Sequence, residues 1–220
     1  YQPLRLLARP LTAVAAAAVL LAGCASTSKT QESTTYDFGP AVGTAAASSA
    51  QQAPAAAQGS IPALVVMDAT GPAALENERM YYRLNYADAL QARTYANSRW
   101  SSNPLQMVTQ RLKTRLAQSG MKVLSATDAS TGVPILRVEV DDFVHGFSGV
   151  SQSEGQLVLR ASLFNDHRLV DQRTFSRSTP AGSADAPGGA RALAASTDAV
   201  AADILAWLRT ADTSVNTRKQ

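Results

Sequence analysis

From Ala25 to about Ser60 the chain consists mainly of Ala, Ser, Thr, Gln, Gly and Pro, with few large apolar side chains. Such a stretch cannot bury enough apolar area to offset the entropy of ordering it, so it reads as a flexible tether. That confines any hydrophobic core to the segment from Ile61 to about Ala211, a length typical of one domain. Residues 212–220 are polar and read as a disordered tail. One island interrupts the tether: in "TTYDFGP", Tyr36 and Phe38 alternate with Asp37, and Gly39-Pro40 ends the run. It is either an exposed aromatic pair or a first strand, at about residues 35–39, that docks on the domain.

Within 61–211 the pattern alternates between strand and helix periods. Ile61–Met67 reads as a buried strand. "RMYYRLNY" and "LQARTY" read as a hairpin turned at Ala87-Asp88-Ala89. A helix start comes after it, with Asn103 to cap, Pro104 for the first helical position and Gln106 at the capping-box position. Leu105, Val108, Leu112 and Leu116 form its stripe, Gln110, Arg111, Lys113 and Arg115 lie largely elsewhere, and Gly120 stops it. Three strands come next: "PILRVEVDDFVH", "GQLVLRASLFN" and "LVDQRTFSR", the last two turned at Asn165-Asp166. "PAGSADAPGG" reads as a link to a second helix striped by Leu193, Thr197, Val200, Ile204 and Leu208. The order βββ-α-βββ(β)-α predicts a single α+β domain, an antiparallel or mixed sheet with two helices packed on one face.

The first 23 residues carry a different signal. Arg5 and Arg9 form a positive start, and "LTAVAAAAVLL" is an apolar run too short to span a bilayer, which takes about 20 residues. Leu21-Ala22-Gly23-Cys24 then resembles the lipobox of bacterial lipoprotein precursors. That resemblance implies cleavage before Cys24, the only cysteine, and a covalent lipid on its thiol. Each buried CH₂ contributes about 0.8 kcal/mol, so two or three acyl chains anchor a protein durably. Such lipoproteins are held at the inner membrane chiefly by Asp after the Cys. With Ala25 and Ser26 there, the resemblance implies an outer-membrane location facing the periplasm.

Chemistry is sparse. The net charge of +3 includes Arg5 and Arg9, so a chain cleaved before Cys24 is nearly neutral and has no basic run for nucleic acid. One cysteine excludes an internal disulfide, and no Cys/His spacing suggests zinc or another metal. No GxSxG, HExxH, P-loop or GxGxxG is present. Asp141, Asp142 and His145, like Asp166, His167 and Asp171, read as solvated turn residues closing strands. Ser148 and Ser151 lack a base-orienting partner. No catalytic residue and no cofactor beyond the lipid on Cys24 are expected. The densest unexplained segment, "YYRLNYADALQARTYANSRW", interleaves Tyr with Arg, as hot spots do, although sheet packing also favours these aromatics. Its Tyr82, Arg83, Tyr86, Tyr95, Arg99 and Trp100 form the candidate partner interface.

Lipobox, "YDFGP", "SRWSSNP" before an amphipathic helix, three strands and a final helix ending "AWLR" together resemble the ABC-type transport auxiliary lipoprotein family (PqiC/YmbA-like). The family's Tyr-x-Leu is here Tyr36-Asp37-Phe38, and its Tyr, Arg-Trp and Pro are Tyr95, Arg99-Trp100 and Pro104. The resemblance implies a non-catalytic scaffold beside an Mce-domain protein and an ABC permease with its ATPase, moving lipids or other hydrophobic solutes. A stand-alone envelope-stability lipoprotein is the alternative. A homo-oligomer is left open.

Overall fold

The computed structural model describes residues 33–41, 61–128 and 131–211. The expected signal peptide, the lipidated Cys24, most of the tether and the tail therefore lie outside the described residues.

The best alternating apolar run becomes the central strand. In β6 (Ile135–Phe147), Leu136, Val138 and Val140 point to the core while Arg137 and Glu139 point away. On one edge β6 pairs antiparallel with β7 (Ser153–Asn165), which pairs antiparallel with β8 (Arg168–Pro180). Its other edge is shared by two shorter parallel strands. β2 (Ala63–Val66) lies beside Ile135–Leu136, and β3 (Arg79–Leu84) lies beside His145–Phe147. A single parallel bridge from Thr70 to Glu139 joins the two pairings.

The sheet forks from there. β2 continues to a parallel β5 (Lys122–Ser125), while β3 turns back into an antiparallel β4 (Ala92–Trp100). β1 (Thr34–Tyr36) adds in parallel along Ser98–Trp100 of β4. The result is the expected α+β domain: a mixed eight-stranded sheet and two helices, α1 (Pro104–Gln118) and α2 (Ala186–Thr210). Alternation puts Leu157, Leu159, Ala161 and Leu163 of β7 on the covered face, where they join the helix stripes in one cluster.

The helices begin and sit as their sequences dictate. Asn103 accepts from the Gln106 amide at 2.9 Å and caps α1. Across β7, α2 packs so closely that a Cβ on Gly155 would fall 2.4 Å from the Leu193 amide nitrogen. Only glycine fits there. Ser196 of α2 fixes the approach by donating to the Gly155 carbonyl at 2.7 Å.

Five local expectations need correction. The β6 strand does not close at Asp141-Asp142; a bulge between Val140 and Asp142 absorbs the extra polar residue and pairing continues to Phe147. His145 is accordingly a fully buried strand residue rather than a solvated one. The β7–β8 turn lies one residue later than expected: Asn165 pairs with Arg168, and Asp166 and His167 take φ of 46° and 64°. "APGG" is not a link but the first turn of α2, because Asp185 caps the Gly188 amide at 2.8 Å. Arg111, finally, is buried instead of lying off the apolar stripe of α1.

Candidate interaction surface

The β3–β4 hairpin carries most of the candidate interface, and strand alternation divides it. Tyr82 sits beside His145 in register, on the same face of the sheet, and is partly buried. Its ring lies tilted against that of Tyr95, 4.7 Å between centroids, and Phe147 closes the group at 5.9 Å from Tyr82 and 4.4 Å from His145. Tyr95 Oη lies 2.8 Å from His145 Nδ1. Gly189 at the start of α2 lets the helix backbone rest on the imidazole; a Cβ there would be 2.4 Å from Nδ1.

Burial depresses the His145 pKa to about 4, with Asp185 pulling weakly the other way. Burial also raises the Tyr95 pKa, assisted by Tyr82 and Asp185. Both groups are therefore neutral across the physiological range. A neutral, fully buried imidazole within hydrogen-bond distance of a phenol ties the β3–β4 hairpin to β6 beneath the start of α2.

The remaining candidates go elsewhere. Arg83, one residue from Tyr82 and so on the opposite face, pairs with Asp142 at 2.6 Å. Tyr86 lies in the hairpin loop, half exposed. Arg99 is exposed further along β4, 3.8 Å from Glu78 and 3.4 Å from Thr35. Trp100 presents no surface at all: it is 1% exposed and wedged between Phe38 at 5.9 Å and Phe143 at 5.6 Å. The six residues thus do not form one patch. Tyr82 and Tyr95 are joined in an aromatic group, Arg83, Tyr86 and Arg99 are separate surface positions, and Trp100 belongs to the core.

Phe38 is the residue that ties the island "TTYDFGP" to the domain. Past β1 the backbone turns with Asp37 accepting from the Gly39 amide at 2.7 Å, and the Phe38 carbonyl accepts from Arg111. The Arg111 guanidinium also lies 5.6 Å from the Phe38 ring centroid and 3.3 Å from the Asp198 carboxylate of α2. Arg115 shares that carboxylate through contacts of 2.7 and 2.5 Å. One buried cation thereby joins β1, α1 and α2. A groove of about 700 Å³ runs beside this junction, lined by Phe38, Leu105, Met107 and Arg111 among others. Among the described residues no group of three or more His, Cys, Asp or Glu side chains is placed to hold a metal ion. No helix there is long and apolar enough to cross a membrane.

A family model described as the ABC-type transport auxiliary lipoprotein component matches residues 44–205, about three quarters of the chain. The chain belongs to that family. Two crystal structures share its fold. A Xanthomonas campestris protein of the DUF330 family is 22% identical, with a TM-score of 0.58 over 66% of this chain and 81% of its own. An uncharacterised protein is 16% identical, with a TM-score of 0.61 over 80% of this chain and 99% of its own. No curated protein matches the chain. Membership in the auxiliary lipoprotein family makes the protein a membrane-associated component of an ABC transport system. The family's Tyr95, Arg99-Trp100 and Pro104 pattern is largely architectural here: Tyr95 holds His145, Trp100 fills the core and Pro104 opens α1.

Proposed function

We propose that this protein is the lipid-anchored, non-catalytic auxiliary component of an Mce-type ABC system for lipids or other hydrophobic solutes. It holds the assembly at the outer membrane from the periplasmic side. The family match over residues 44–205 carries this reading. Three features support it. Leu21–Cys24 matches a lipobox throughout, Ala25-Ser26 lacks the inner-membrane retention signal, and His145 is fully buried beneath α2. Cys24 and Ser33 are nine residues apart, so even a fully extended leash reaches only about 30 Å. The domain works near its membrane.

The test is purification of the tagged full chain from detergent-solubilised membranes of its own host, with sucrose-gradient separation of inner and outer membranes. Co-purification of an Mce-domain protein and location in the outer-membrane fraction are expected. Recovery without any transporter component would favour the stand-alone envelope lipoprotein, and recovery in inner membranes would overturn the tethering role.

A further inference from the structure

Surface aliphatic side chains scattered singly are ordinary, so exposure alone says nothing. Here their positions are not scattered. Leu90 is 95% exposed, Val150 84% and Tyr86 50%. Tyr86 and Leu90 lie in the loop between β3 and β4, and Val150 lies in the loop between β6 and β7. Parallel pairing of Leu84 with Phe147 brings both loops to the same end of the sheet, and the Tyr86 amide donates to the Phe147 carbonyl to join them. Leu169, the other large exposed apolar side chain among the described residues, stands at the opposite end beside the β7–β8 turn.

The chain enters the described domain from the side of these loops. β1 runs parallel to β4, with Thr34 opposite Ser98. Because β4 starts at the loop end with Ala92 and runs away from it, the chain enters β1 from the direction of those same loops. The six β4 residues from Ala92 to Asn97 cover about 20 Å. Nine residues separate Cys24 from Ser33, a contour length of at most about 30 Å, which exceeds that distance.

We infer that the sheet end bearing Tyr86, Leu90 and Val150 dips into the lipid surface to which the chain is anchored. The inference rests on the proposed lipid anchor at Cys24. Two aliphatic tips and a tyrosine suit the interfacial layer, where an amphipathic ring sits at headgroup level. Asp88, between Tyr86 and Leu90, uses its carboxylate to accept from the Leu90 amide at 2.9 Å, and Arg93 lies just behind at the base of the loop. These charges keep the insertion shallow.

Cys24 is the only cysteine, and a lipid on its thiol leaves an introduced cysteine as the single labelling site. The full lipidated chain carrying Leu90→Cys, Val150→Cys or, at the far end, His167→Cys is labelled with an environment-sensitive fluorophore. It is then placed in phosphatidylethanolamine–phosphatidylglycerol vesicles. Expected is at least a twofold rise in emission with a blue shift at 90 and 150, quenched by lipids spin-labelled near the headgroup, and water-like emission at 167. If the chain floats with the vesicles but 90 and 150 emit like 167, the inference is overturned and the anchor stands. If the chain does not float, the anchor reading fails and takes the inference with it. A change at 90 and 150 that appears only on adding transporter components would assign this end to a protein partner instead and overturn the lipid contact.

Discussion

His145 shows how one residue can set the pH response of the fold. Its pKa is lowered to about 4 in the folded protein, against about 6.5 in an unfolded chain. Between those values the unfolded state binds more protons, so stability is fully present above pH 6.5 and declines as pH falls toward 4. The urea midpoint should therefore drop between pH 7 and pH 5, reflecting a loss of about 2 kcal/mol from this group. In His145→Phe that part of the slope should vanish; an unchanged slope would mean that other groups carry it. Arg111 gives a second residue-scale prediction. Asp198→Ala leaves its buried guanidinium without a counter-charge. The cost should be about 3 kcal/mol, the low end for breaking a buried pair, because Asp198 keeps 28% exposure. Chemical denaturation of variant and parent measures it.

Among the elements, the β7–β8 hairpin is long, and its turn is defined by two left-handed residues. A two-residue turn with φ positive at both positions favours Asn-Gly or Asp-Gly, since a side chain strains the second position. Asp166 is already suited to the first. His167→Gly should stabilise the domain by about 1 kcal/mol, the left-handed strain relieved, raising its melting temperature by a few degrees. A fall in melting temperature would show that the imidazole makes a compensating contact. Gly155 is the counter-case, where the close approach of α2 forbids a side chain. Gly155→Ala should cost about 1–3 kcal/mol by forcing the helix off the sheet, read as a lower denaturant midpoint with an unchanged slope.

At the scale of the molecule, the proposed anchor and the fold should be separable. Cys24 lies nine residues before the first described residue, Ser33, and β1, Phe38 and Arg111 close the domain downstream of it. Cys24→Ser should move the protein from the membrane to the soluble fraction, while the unfolding midpoint stays within about 0.5 kcal/mol of the parent, as for a substitution remote from packed structure. Membrane fractionation and denaturation together check both halves. Retention in the membrane would mean that something other than the thioether lipid holds the chain.

The sequence by itself determined the α+β class, the two helices with their stripes, the Asn103 cap and the segments that become β6, β7 and β8. Those depend on local periodicity and capping chemistry, which nearest neighbours along the chain suffice to express. It also carries Leu21–Cys24, whose resemblance to a lipobox bears on the proposed processing rather than on folding. Only the tertiary structure decided that β6 runs through its acidic pair, since a bulge depends on a partner strand. It moved His145 and Arg111 from the surface to the interior, because Gly189 and Asp198 lie far from them along the chain and reach them only once α2 docks. The same holds for the candidate interface. Six aromatic and basic residues close in sequence were divided between two faces, a loop and the core, because neighbouring residues on a strand point in opposite directions and burial is settled by what lands on them.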